Sequence, residues 1–149
     1  MTSSPKITWY IREDIDGISE YSPKRTHELD GSYAPNDKII LDIQVWNNRL
    51  GTEDVQDAKN AKLSIFFKNY EDNYMLNLCK IKFNNEEAKA LNIEMDRGLI
   101  DIGTISGGAN NGSILNVNNY IEFELQIGPL PTNLKSELKG LILDIEYED

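Results

Sequence analysis

Few of the residues that carry chemistry in proteins stand here in a pattern that would let them react. A nucleophile–base pair needs an imidazole beside a hydroxyl or thiol, and the chain has one histidine, His27, and one cysteine, Cys79. His27 lies in an irregular stretch beside Lys24, Arg25 and Glu28 and reads as a solvated loop residue. Cys79 lies in the strand-like run YMLNLCKIKF and reads as a small buried apolar side chain, with no second cysteine for an intrachain disulfide. HExxH, CxxC, P-loop and dinucleotide glycine patterns do not occur. The glycine-rich GTISGGANNGS joins two strands instead of opening a helix, which argues against a phosphate cradle. Carboxylates recur at every second position in Glu122/Glu124 and in Asp144/Glu146/Glu148. Paired acids can hydrolyse glycosides, but this spacing on strands is ordinarily the wet face of a sheet. The sequence therefore predicts no enzyme, no catalytic residue and no cofactor.

Binding chemistry has more material. Hard cations take several oxygen ligands converging from loops, and Glu13/Asp14/Asp16, Glu53/Asp54/Asp57 and Glu71/Asp72 supply carboxylates. None follows the spaced D-x-[DN]-x-[DN]-G order with its distal Glu, so Asp14, Asp16, Asp54 and Asp57 stand as weak metal candidates without a motif. Sugar stacking would use exposed aromatics. Trp46 ends its strand out of phase with the inward Val45, and Tyr70 and Tyr74 flank a turn. They form either a stacking platform or a protein contact, unless Trp46 packs under the long arm of residues 13–37. The net charge of −10 argues against nucleic-acid backbone and anionic membranes, which attract clustered Lys and Arg. It is compatible with cations or with a basic protein partner.

The elements that position these residues are strands. The 149 residues suit one domain spanning 1–149, large enough for a core without disulfides. Period-two alternation in Ile39/Leu41/Ile43/Val45 and in Leu63/Ile65/Phe67 marks half-buried strands over 38–46 and 61–68. The same grammar recurs over 6–12, 74–83, 99–105, 114–117, 120–127 and 140–147. Pro129 and Pro131 end the seventh run. Residues 13–37 break the pattern with Gly17, Pro23, Gly31 and Pro35, and read as an extended arm or long loop. That arm carries Ile15, Ile18, Tyr21 and Tyr33, enough apolar area to dock. The one helical signal is NNEEAKAL over 84–91, with Asn85 as cap and Glu86 and Glu87 in the first turn. Roughly seven or eight strands with one short helix describe an all-β antiparallel sandwich.

Three pieces of this chain, LDIQVWNNRLG, DAKNAKLSIFF, and IDIGTISGGANN followed by YIEFELQI, carry a resemblance. In this order they resemble immunoglobulin-like domains of the bacterial and archaeal cell-adhesion-related type, over residues 38–147. The shared features are an Asn-rich turn closing on Gly51, a strand opening after the short Asp-Ala-x-Asn-Ala segment of 57–61, and a turn from Ile102 to Gly107. The resemblance implies an immunoglobulin-like β-sandwich whose matching residues are structural, with no catalytic set. Gly51, Gly103, Gly107 and Gly108 are expected to serve positive-φ backbone.

Such domains usually occur as repeats in large exported surface proteins. Here one copy stands with an added arm, and MTSSPKITWYIRED shows no secretory signal. No apolar run approaches the roughly 18 residues of a membrane span. The expected role is an accessory subunit of an intracellularly assembled particle, such as a capsid decoration or tail component of a virion, or of a surface array. Its partners would be protein subunits or copies of itself. Contacts would come from Ile15, Ile18, Tyr21, Tyr33, Trp46, Asn48 and Tyr70, from the arm, and from the loops around 47–57 and 106–112. The alternative is a carbohydrate- or calcium-binding sandwich module.

Overall fold

The computed structural model describes residues 3–13, 18–20, 26–32, 38–110, 118–128 and 137–148. In chain order the strands are β1 (Ile7–Glu13), β2 (Ile18–Glu20), β3 (Thr26–Ser32), β4 (Ile39–Asn47) and β5 (Ala58–Phe67). A 3-10 helix (Tyr70–Leu78) precedes β6 (Cys79–Lys82), β7 (Lys89–Ala90), β8 (Asn92–Glu94), β9 (Arg97–Ile105), β10 (Tyr120–Ile127) and β11 (Glu137–Glu148). They form two antiparallel sheets, ordered β2-β1-β4-β10-β6-β7 and β3-β11-β5-β9-β8.

Alternation decides which faces meet. In the first sheet Ile39, Leu41, Ile43 and Val45 pair with Ile127, Leu125, Phe123 and Ile121. In the second, Leu63, Ile65 and Phe67 pair with Ile145, Leu143 and Leu141. These side chains join Trp9, Ile81, Leu76, Met75 and Cys79 in one core between the sheets. Each fully buried aliphatic group there contributes about 1.5–3 kcal/mol relative to exposure. The sequence-expected strands over 38–46, 61–68, 99–105, 120–127 and 140–147 are all present, each shifted or extended by a few residues at most.

Three expectations need correction. Residues 13–37 are not a bare arm: β2 pairs with β1, and β3 pairs with β11 along the edge of the second sheet. His27 therefore lies in a strand, opposite Leu143, and not in a solvated loop. The expected helix over 84–91 is a turn, with Glu86 N–H donating to Phe83 O at 2.8 Å, followed by β7 paired to β6. So short a segment forms a helix only when packing holds it, and here Leu91 alone is buried. The helix forms instead at 70–78, where a hairpin turn and strand were expected. Asn69 caps it by accepting from Glu71 N–H at 3.2 Å, Asn73 Oδ1 takes Phe67 N–H at 2.9 Å, and Met75 and Leu76 fill the core. The 114–117 run lies outside the described residues.

At one side the chain crosses between sheets within a single residue: β7 ends at Ala90, Leu91 is buried, and β8 begins at Asn92. Of the four edge strands, β2, β7 and β8 are each two or three residues long, while β3 presents a seven-residue edge.

Candidate functional site

The two loops expected as contact surfaces, following β4 and β9, are bound to each other at one end of the sheets. Four asparagines do this, all nearly sealed from solvent: Asn47, Asn48, Asn110 and Asn119. Asn47 Oδ1 accepts from Lys6 N–H at 2.8 Å, while its Nδ2 donates to Gln56 O at 2.9 Å and Ile105 O at 3.1 Å. Asn48 Nδ2 donates to Glu53 O and Gly107 O, both at 2.8 Å. Asn110 Nδ2 donates to Asn48 O at 2.7 Å. Asn119 Nδ2 donates to Ser106 O and Gly108 O, both at 2.9 Å. Carboxamides suit this work because each offers two donors and an acceptor to loop backbone that has no ladder partner.

Two aspartates complete the frame. Asp57 Oδ1 accepts from Gly107 N–H and Asp54 Oδ1 from Ala109 N–H, each at 2.9 Å. The glycines work by space more than by dihedral angle. A Cβ on Gly51 would lie 2.0 Å from Asn48 Oδ1, and one on Gly107 would lie 2.3 Å from Val55 O. Of the four glycines assigned to positive φ, Gly103 adopts it, with φ 88°, while the left-handed residues of the first loop are Asn48 and Leu50, with φ 59° and 63°. Asparagine tolerates that region better than most residues.

The frame leaves Leu50 61% exposed at its tip. Between the two loops opens a cleft of ≈ 430 Å³ lined by Asp54, Val55, Gln56, Asp57, Lys59, Ser106 and Gly108. Asp54 and Asp57 thus do converge on one cleft. Among the described residues, however, no group of three or more His, Cys, Asp or Glu gathers in a metal-binding arrangement. Asp14 and Asp16 lie outside the described residues, as do Ile15, Tyr21 and Tyr33.

Other expected site residues fall elsewhere. Asn48, expected as a contact residue, is 3% exposed and spends its carboxamide N–H groups on loop carbonyls. Trp46 does sit on the outer face of the first sheet, but it is fully covered, which removes it as a sugar-stacking platform. Tyr120, Tyr10 and Arg49 lie against it; most of the 13–37 segment expected over it lies outside the described residues. Ile18 begins β2 and Tyr70 begins the 3-10 helix. Tyr74 is half-exposed on that helix. Cys79 is buried in the core, where desolvation pushes its thiol from 9.0 up to about 12, so it is neutral and unreactive at ordinary pH. Glu122 faces outward, its Oε2 accepting from Gln44 Nε2 at 2.7 Å.

The asparagines were visible in the sequence as turn formers. What the sequence did not show is that Asn110 and Asn119, far along the chain, reach back to the Asn47–Asn48 turn. No helix among the described residues is long and apolar enough to cross a membrane. No family model matches the chain, and searches of curated proteins and of solved structures found no match.

Proposed function

We propose that this protein is a non-enzymatic interaction protein, an immunoglobulin-like sandwich that attaches to a larger assembly through its asparagine-held end. The capsid-decoration or tail component of a virion is the form of assembly the reading favours. One observation carries it. The 48–57 and 106–110 loops are fixed to each other and to the sheets, and they lift Leu50 into solvent. A surface ordered before contact loses little entropy on docking, and an apolar tip on a polar rim is a usual anchor of a protein interface.

The test is the mass of the protein isolated from its natural source without overexpression. Migration with a particle far larger than the 17.0 kDa chain supports the reading, and migration alone near that mass removes it. Deleting 13–37 would not be a clean test, because it removes β2 and β3. Leu50→Asp is the sharper variant: incorporation should fall by about tenfold or more with the fold intact.

The calcium alternative retains the shared cleft of Asp54 and Asp57. It predicts a calcium-dependent rise in melting temperature that Asp54→Asn abolishes; a melting curve unmoved by calcium or chelator ends it.

A further inference from the structure

The indole of Trp46 is out of phase with the core residues of β4, so it lies on the outer face of the six-stranded sheet, yet none of it is exposed. Tyr120, its partner on β10, stacks on it with centroids 4.5 Å apart and planes 23° apart. Tyr10 of β1 meets it edge-on, at 6.4 Å and 69°. Two rings set at 69° make a corner, and a cation placed there is attracted by two π faces. Arg49 fills it: its guanidinium carbon is 4.1 Å from the Tyr10 centroid and 5.4 Å from that of Trp46.

The Trp46 wall of the corner is held independently of its occupant. Trp46 Nε1 donates to Gln44 Oε1 at 3.0 Å, and Gln44 Nε2 donates onward to Glu122 Oε2. That chain fixes the indole and places a carboxylate on the same face, two residues from Tyr120 along β10.

Arg49 is an imperfect occupant. Its Nε is buried and meets no acceptor among the described residues, and a buried donor without a partner is destabilising. Its side chain is only partly buried, so it can leave outward while its backbone stays between Asn48 and Leu50. A quaternary ammonium brings the same charge with no N–H to strand. We propose that the Tyr10–Trp46 corner is a binding site for a small quaternary ammonium compound, and that Arg49 closes it in the ligand's absence. The site stands whether or not the docking reading holds.

The probe is tetramethylammonium chloride, titrated into the whole protein while the two indole N–H resonances are followed by NMR. Trp9, sealed between the sheets, is the internal control. Trp46 should shift saturably in the wild type. In Arg49→Ala it should saturate at a concentration at least about tenfold lower, because the competitor that reduces apparent affinity is gone. Trp9 should not move, and sodium chloride should move neither resonance. The proposal is overturned if Trp46 in Arg49→Ala shows no saturable shift while Trp9 keeps its native position. Equal affinity in wild type and variant also overturns it, since Arg49 would then compete for nothing. If Arg49→Ala loses the native Trp9 resonance, Arg49→Gln is read by the same criteria.

Discussion

Asn48 and Arg49 are neighbours in the chain and solve the problem of a buried polar group in opposite ways. Asn48 turns inward, accepts a left-handed backbone, and spends its carboxamide on Glu53 and Gly107 carbonyls. Arg49 turns onto the outer face of the sheet, rests on two aromatic rings, and leaves Nε without an acceptor among the described residues. One region is held by complementary hydrogen bonds. The other is held by a less directional attraction and by a contact that another cation can replace. Rigidity belongs to the asparagine frame, and exchange belongs to the aromatic corner.

The comparison breaks most readily at the frame. Asn48→Ala strips donors from two loop carbonyls and forces an alanine to φ near that of a left-handed residue. We expect a loss of about 4 kcal/mol, read as a fall of roughly 10 °C in melting temperature. A loss below about 1 kcal/mol would mean the loops are not held as described. Gly107→Ala comes next, at about 2 kcal/mol in urea unfolding, because its Cβ would press on the backbone oxygens of Val55 and Gln56 and not on a side chain that can swing away.

A pH series separates both regions from the core. Cys79 is raised in the folded state from 9.0 to about 12, so above pH 9 the unfolded chain releases a proton that the folded chain retains. Stability is therefore fully present below pH 9 and falls by up to about 1.4 kcal/mol per pH unit above it, until the folded thiol also titrates. That slope should vanish in Cys79→Ala and persist in Asn48→Ala. The smallest effect is at the corner. Arg49→Ala should cost under about 1 kcal/mol, since the cation–π attraction it loses is offset by the stranded Nε it removes. A loss as large as that of Asn48→Ala would make Arg49 part of the frame and end the distinction.

The strands were legible because burial in a two-sheet fold imposes a period of two, and Ile39 to Val45 or Leu141 to Ile145 can satisfy it only one way. The outer face was less legible. Trp46 was correctly placed opposite the core, but its cover depends on Tyr10 and Tyr120, which come from two other strands. The strand β3 was missed because THELDGS carries Leu29 as its one large apolar residue and borrows its regularity from β11. The helix was misplaced for a related reason. NNEEAKAL has the better local propensity, whereas YEDNYMLNL has Met75 and Leu76 to bury and Asn69 and Asn73 to tie its start. Tertiary contacts outweighed propensity in each case.

The position of β11 also sets the order of events during synthesis. It is the latest strand described in the chain, yet it lies inside its sheet, between β3 and β5. Until residues 137–148 leave the ribosome, β3 and β5 have no strand to join them, and the first sheet has no completed second layer to cover it. A nascent chain arrested before Glu137 should thus expose two unpaired strand edges and recruit holdase chaperones, and release of β11 should join β3 to β5 in one late step.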